Sequence, residues 1–295
     1  MNVRLTSFER VLRGGRAALS TPFFLPIAGK PVILRVPKPT CPMHMSDSIV
    51  IIPTYNEREN IDAIVRAVLA LEHGFHVLIV DDGSPDGTAN IVRTLQAEFA
   101  DRLHLIERSG KQGLGTAYIA GFKWALERDY QYVFEMDADF SHNPADLPRL
   151  LSACAEQGAD VSVGSRYVTG VNVVNWPLGR VLMSYFASMY VRCITGIPVH
   201  DTTAGFVCYR RHVLEAIGLD HIRFKGYAFQ IEMKYKAYLL GYRVEEVSVI
   251  FINREKGTSK MSTGIFGEAL FGVLRLRWDS LFLRKRKRGE AIAKG

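Results

Sequence analysis

Asp137 and Asp139, one residue apart in MDADFSHNP (136–144), carry the first chemistry legible in this 295-residue chain. They stand where a strand ends, and strand side chains at i and i+2 point the same way. Two like charges held that close raise one another's pKa unless a positive group lies between them. The pair is therefore either loose and solvated, or a cation belongs there. A single D-x-D does not choose, because about one is expected by chance in a chain of this length and ordinary composition.

The elements that must position the pair begin at residue 48. SIVIIP (48–53), HVLIV (76–80), LHLIE (103–107), YQYVFEM (130–136) and DVSVGSR (160–166) are short apolar runs suited to strands buried on both faces. Between them, ERENIDAIVRAVLALE, TANIVRTLQAEFA, TAYIAGFKWALERD and PADLPRLLSACAEQG read as amphipathic helices. Pro144 suits the first turn of the last. This alternation predicts an α/β fold, a mostly parallel sheet with helices on both faces. In open sheets of this kind ligands bind beyond the carboxyl ends of the strands. The first strand delivers Pro53, Tyr55 and Glu57 to that edge, the second Asp81 and Asp82, the fourth Asp137 and Asp139, the fifth Arg166. An acidic cluster with an arginine at one crevice is the result, with Glu57 and Asp86 the foremost candidates for mere helix caps.

Composition narrows the class. Hydrophobic residues make up 48% and charged residues 23%, as in an ordinary globular protein. The four cysteines, Cys41, Cys154, Cys193 and Cys208, have no metal-ligand rhythm, which fits a reducing, cytoplasmic setting without disulfides. No run of 18 apolar residues exists, so no transmembrane helix is expected. The net charge of +7 is uneven, and much of it lies in RLRWDSLFLRKRKRG (275–289). That run reads as a solvated tail or, with its aromatic and leucine residues, as an anchor on an anionic membrane surface. No nucleic-acid recognition module accompanies the charge. Residues 1–45 are rich in Arg and Pro, and read as a disordered extension or an over-long start ahead of Met45.

The second half adds Arg180 and the cationic NREKGTSK (253–260). One crevice would then hold carboxylates suited to Mg²⁺ or Mn²⁺ and basic groups suited to phosphates. Neither a P-loop nor a dinucleotide fingerprint occurs, and no Ser-His-Asp or Cys-His arrangement stands out. His142 has two readings, a catalytic group or a capping and supporting one.

PTYNERENI (53–61), VDDGSPDGT (80–88), GLGTAYIAGF (113–122), MDADFSHNP (136–144), GSRY (164–167), DTTAGF (201–206), GYAFQIE (226–232) and NREKGTSKM (253–261) occur in this order. Together they closely resemble the dolichol-phosphate and polyprenol-phosphate mannose synthases, inverting metal-dependent glycosyltransferases of family 2 with the Rossmann-like GT-A fold. The resemblance covers residues 47 to 275. It implies that Pro53, Tyr55, Glu57, Val80 and Asp82 form the guanosine pocket for GDP-mannose. It implies that Asp137, Asp139 and, as a weaker ligand, Ser141 hold Mg²⁺ or Mn²⁺, with Ala138 a backbone contact. Arg166, Gln230, Arg254 and Lys260 would contact the donor, NREKGTSK closing over it. Arg180 and Ser184 would clamp the acceptor phosphate. The catalytic set is then Asp139, Arg166 and Arg180, and the product a polyprenyl β-mannosyl phosphate plus GDP.

The implied organisation is an N-terminal extension (1–45), a catalytic domain (46–260) and an amphipathic membrane-surface helix with a basic tail (261–295). VVNWPLGRVLMSYFASMYVRCITGI (173–197) reads equally as a core helix and as a membrane-facing one. The protein is expected to sit peripherally on the cytoplasmic face of the membrane, alone or held by an anchoring partner subunit. The nearest alternative moves glucose or another sugar from a UDP-sugar to the same lipid. A remoter one is a non-catalytic binder of membrane or nucleic acid, which leaves the acidic crevice unexplained.

Overall fold

A computed structural model describes residues 47–226, 228–253 and 271–280. The proposed extension 1–45, most of the NREKGTSK stretch with Arg254 and Lys260, and the basic tail 281–295 lie outside the described residues.

Seven strands form one sheet. β1 (Ser48–Thr54), β2 (His76–Asp81), β3 (Leu103–Glu107) and β4 (Tyr132–Glu135) alternate with helices α1 (Ile61–Leu69), α2 (Thr88–Glu98) and α3 (Leu114–Leu126). A 3₁₀ turn (Pro144–Asp146) then leads into α4 (Leu147–Ala155), followed by β5 (Val161–Ser165), β6 (Val173–Val174) and α5 (Leu178–Thr195). β7 (Val207–Arg210), α6 (Arg211–Ile217), a second 3₁₀ turn (Leu219–His221), α7 (Ala228–Leu239), β8 (Val244–Ser248) and β9 (Phe251–Ile252) follow. A last helix, α8, runs over 271–280. The sheet order is β3-β2-β1-β4-β7-β5-β8, and β6 pairs with β9 apart from it.

The five strands expected from the sequence are all present, and β1 through β4 are parallel as expected. β7 is the departure: it runs antiparallel between β4 and β5. The sheet is therefore mixed. Alternation along each strand divides the core in two. Val50 and Ile52 of β1 pack with α1, α2 and α4 on one face. Ile49 and Ile51 pack with α3, α6 and α7 on the other. Gly121 lets α3 press on β1, since a Cβ there would lie 2.6 Å from Ile51 Cγ2. A third apolar cluster joins Val191 of α5, Ile231 and Tyr235 of α7, and Val273 and Leu276 of α8.

β1 is followed in the sheet by β2 on one side and β4 on the other, so the strand order reverses there. That reversal opens a crevice at the carboxyl ends, where the acidic residues emerge.

Candidate active site

β1, β2 and β4 deliver their ends side by side. Thr54 pairs in register with Asp81, the Asp82 amide donates to the Thr54 carbonyl at 2.9 Å, and the Met136 amide donates to the Ile51 carbonyl at 3.2 Å. Asp81 is consumed in building this edge: it accepts from Thr54 Oγ1 at 2.9 Å, and from the Ser84 amide at 2.8 Å and hydroxyl at 2.6 Å. Gly83 makes the turn possible with φ of +68°. Asp86 accepts from the Thr88 amide at the start of α2 and from the Arg58 amide, each at 3.0 Å. Glu57 accepts from Asn60 Nδ2 at 3.0 Å. Each of these acids has a structural partner.

Asp82 has a partner that the sequence reading missed. Arg108, just past β3, places its guanidinium 3.0 Å from the buried carboxylate without the alignment of a hydrogen bond. The Gln112 amide adds a bond at 3.3 Å. Burial raises the Asp82 pKa, and Arg108 offsets that only in part. The GKQGLG loop thus reaches the pocket, where Lys111 Nζ lies 5.4 Å from the Tyr55 ring centre. Pro53 and Tyr55 are half-buried and Val80 is buried along the same edge.

Beyond β4 the chain turns sharply. Phe140 takes φ of +60°, an uncommon left-handed conformation for a bulky residue. The turn points the Ser141 amide and hydroxyl back at Asp139 Oδ1, at 3.1 and 2.5 Å. Asp139 and Ser141 are buried, as is Ala138, while Asp137 is half-buried. His142 accepts the Asp137 amide proton at Nδ1, 3.2 Å away, and stacks on Phe206 with centroids 4.9 Å apart. Burial pulls its pKa down to about 4, so near neutral pH it is an uncharged support for the turn.

Arg166 lies 8% exposed at the end of β5. Asp201, from the loop before β7, accepts from its Nε and Nη2 at 2.6 Å each and from its amide at 3.0 Å. Burial would raise the Asp201 pKa, but Arg166 holds it below the usual value. The Arg166 guanidinium also lies 5.3–5.5 Å from the rings of Tyr167, Trp176 and Phe251. Trp176 carries Arg180 on its ring at 4.0 Å, and Arg180 Nη1 donates to Asn253 Oδ1 at 3.0 Å. A continuous row therefore runs from Arg166 through Trp176 to Arg180. Ser184, one turn along α5, is half-buried. The Ile252 amide donates to the Ser141 carbonyl at 3.3 Å, so β9 joins this row to the aspartate turn.

Gln230 lies beneath the crevice. Its side-chain amide is buried between Glu135, to which Nε2 donates at 2.6 Å, and Lys234, from which Oε1 accepts at 3.2 Å. Glu135, Lys234, Asp201 and Arg108 are the charged residues that sequence reasoning missed here. Asp201 stood in a quoted motif without a role. Lys234 carried one available signal, its place one helical turn from Gln230.

A divalent cation fits the chemistry of this donor set: Asp137 and Asp139 offer hard oxygen ligands, and Ser141 fixes one carboxylate's orientation. Among the described residues no three ligating side chains gather. Two protein carboxylates with further oxygens from a substrate is the pattern such ions take at phosphates.

A family model described as Glycosyl transferase family 2 matches residues 49–218. The polyprenol monophosphomannose synthase of Mycolicibacterium smegmatis is 49% identical over 226 residues, 77% of this chain and 85% of its own. The undecaprenyl-phosphate mannosyltransferase of Micrococcus luteus is 46% identical over 240 residues, 80% and 98% of the two chains. Among solved structures, glucosyl-3-phosphoglycerate synthase from Mycobacterium tuberculosis, in complex with Mn²⁺, uridine diphosphate and glucosyl-3-phosphoglycerate, aligns with a TM-score of 0.55. It is 18% identical over 78% of this chain and 79% of that one, a likeness of fold.

Proposed function

The chain belongs to glycosyl transferase family 2, and from that premise we propose that it transfers mannose from GDP-mannose to a polyprenyl phosphate, releasing GDP and a β-linked mannosyl phosphate lipid. The observation that carries this reading is the acidic edge of β1, β2 and β4 joined, through the Ile252–Ser141 bond, to two arginines that share the Trp176 ring. A nucleoside diphosphate and a phosphate monoester are both anions, and the site offers each a separate cation.

On this reading Asp82, with Pro53, Tyr55, Glu57 and Val80, receives the guanosine end of the donor. Asp137 and Asp139 would hold the divalent ion, with Ser141 orienting Asp139. When bound, Mg²⁺ or Mn²⁺ supplies charge neutralisation at the diphosphate of the leaving group. Arg166, preset by Asp201, faces the same charge, and its guanidinium needs no reorganisation as that charge develops. Arg254 and Lys260 are assigned to the donor by family resemblance. Arg180 and Ser184 clamp the acceptor phosphate and aim one of its oxygens at the anomeric carbon. That oxygen belongs to a monoester already largely ionised near neutral pH, so no strong general base is required. The neutral, buried His142 fits that division of labour.

Among the described residues no helix is long and apolar enough to cross a membrane. The lipid acceptor is instead met at a surface. Leu178, Leu182, Met183, Phe186 and Met189 stand exposed on α5, the helix that carries Arg180 and Ser184. The protein is therefore read as peripheral, with α5 against the cytoplasmic face of the bilayer and its phosphate headgroups.

The deciding experiment incubates purified protein with labelled GDP-mannose, Mn²⁺ and a short polyprenyl phosphate, beside an EDTA control and Asp139→Ala. Label should enter lipid only with metal and wild-type protein. Transfer from UDP-glucose in place of GDP-mannose would overturn the donor, and no transfer from either would overturn the reaction.

A further inference from the structure

We propose that Lys234 is a positioning residue for this transfer: a buried ammonium that keeps the strand end carrying Asp137 and Asp139 in fixed relation to the loop that presents Asp201 and thereby Arg166. The inference rests on the mannose-transfer reading and assigns that site a residue.

The geometry is unusual for a lysine. Lys234 is fully buried on α7, where its Nζ donates to the Ala204 carbonyl at 2.6 Å, the Gln230 carbonyl at 3.1 Å and Gln230 Oε1 at 3.2 Å. An ammonium has three donors, and all three are placed. The bond to Ala204 fixes the 201–206 loop three residues beyond Asp201. The bond to Gln230 Oε1 orients that amide, whose Nε2 then donates to Glu135 Oε2 at 2.6 Å. Glu135 is the last residue of β4, two before Asp137. One side chain thus reaches the two segments that bring opposite charges to the crevice.

Stability alone does not account for it. Glu135, Lys234, Asp201 and Arg166 form a buried group of four ionisable side chains. Exchanging such a group for apolar residues of like volume is often neutral or stabilising. Nor is Lys234 needed to hold its helix, since Phe229 and Met233 pack against one apolar cluster while Ile231 and Tyr235 pack against another. Glu135 Oε1 has no hydrogen-bond partner, a cost of desolvation that a purely structural pair would be expected to avoid. What the arrangement supplies is a single geometry between β4 and the 201–206 loop.

The test compares wild type, Lys234→Met and the neutral pair Glu135→Gln/Lys234→Met. The pair variant removes both ionisable groups, so neither is left buried without the other, and it is expected to fold if the single change does not. Mn²⁺-dependent GDP binding is measured by calorimetry, steady-state transfer with donor and acceptor varied separately, and Tm by thermal unfolding. Expected in the pair variant are a Tm near wild type, Mn²⁺–GDP affinity 10- to 100-fold weaker, a raised KM for GDP-mannose and an acceptor KM within twofold. Wild-type affinity and kinetics in the folded pair variant would overturn the proposal, whatever happened to Tm. Should wild type bind Mn²⁺–GDP yet transfer no mannose, the functional reading would fall, and the binding comparison would still decide the role of Lys234.

Discussion

At the scale of single residues, the site depends on side chains that hold other side chains. Ser141 donates twice to Asp139 Oδ1, by amide and by hydroxyl, and only the hydroxyl can be removed by substitution. Ser141→Ala should therefore weaken Mn²⁺-dependent GDP binding about 10-fold, the low end for losing a group that orients a metal ligand. Titrating Mn²⁺ against activity and GDP binding checks this, and an unchanged activation constant would show the hydroxyl to be dispensable. The sequence made Asp137, Asp139 and Arg166 legible because charged residues at strand ends have few structural reasons to cluster. It hid Lys234 and Glu135 for the opposite reason. In QIEMKYK the charged residues recur every second position, a spacing that marks no single helix face, and only the structure shows that Lys234 is buried. Gln230, expected at the donor, is likewise turned to Glu135 and Lys234.

At the scale of elements, β1 to β5 and the helices between them could be read from runs and periods, because both sheet faces are covered and the strands are mostly apolar. The antiparallel β7 could not. It is four residues long, and its place between β4 and β5 depends on a long connection whose path no local pattern records. Close packing of these elements leaves little room at Gly121. Gly121→Ala would drive a methyl group into Ile51 of β1 and should cost about 1–3 kcal/mol, seen as a lower Tm with unchanged KM values in the surviving folded protein. The opposite end of the sheet carries a different sensitivity. His76 opens β2, its Nδ1 2.8 Å from the Tyr130 hydroxyl, and burial lowers its pKa to about 4. The unfolded chain, with an imidazole titrating near ~6.5, binds that proton more readily. Folding stability contributed by His76 is therefore retained above pH ~6.5 and falls as pH drops towards about 4. His104 and His142 shift in the same direction, so His76→Phe should flatten the acid loss without abolishing it. Urea midpoints at pH 7 and pH 5 report the difference, and an unchanged slope would show that His76 protonates without cost.

At the scale of the whole molecule, the residues assigned to the acceptor phosphate and the exposed apolar surface belong to the same half of the chain. α5 brings Arg180 to the crevice while Leu178, 71% exposed, and Phe186 remain uncovered. α8 buries Val273 and Leu276 against α5 and α7, and its other side presents Phe271, Leu274 and Trp278 at helical spacing, the first 72% and the last 63% exposed. One apolar residue in solvent needs no explanation, but two neighbouring helices with such faces do. On the proposed reading a lipid surface would account for both, because the acceptor phosphate would lie at the headgroups while its hydrocarbon remained in the bilayer. Phe271 and Trp278 test this independently of catalysis, since neither lies among the residues assigned to donor, metal or acceptor phosphate. Phe271→Ser/Trp278→Ser should reduce co-sedimentation with vesicles containing anionic lipid about 10-fold, as expected when two aromatic side chains no longer enter the interface. Transfer to a short, water-soluble polyprenyl phosphate should stay within twofold of wild type, while transfer to a long-chain acceptor in vesicles falls with binding. Loss on both acceptors would instead mean that α8 supports the catalytic domain through α7, and undiminished vesicle binding would remove this face from the membrane contact.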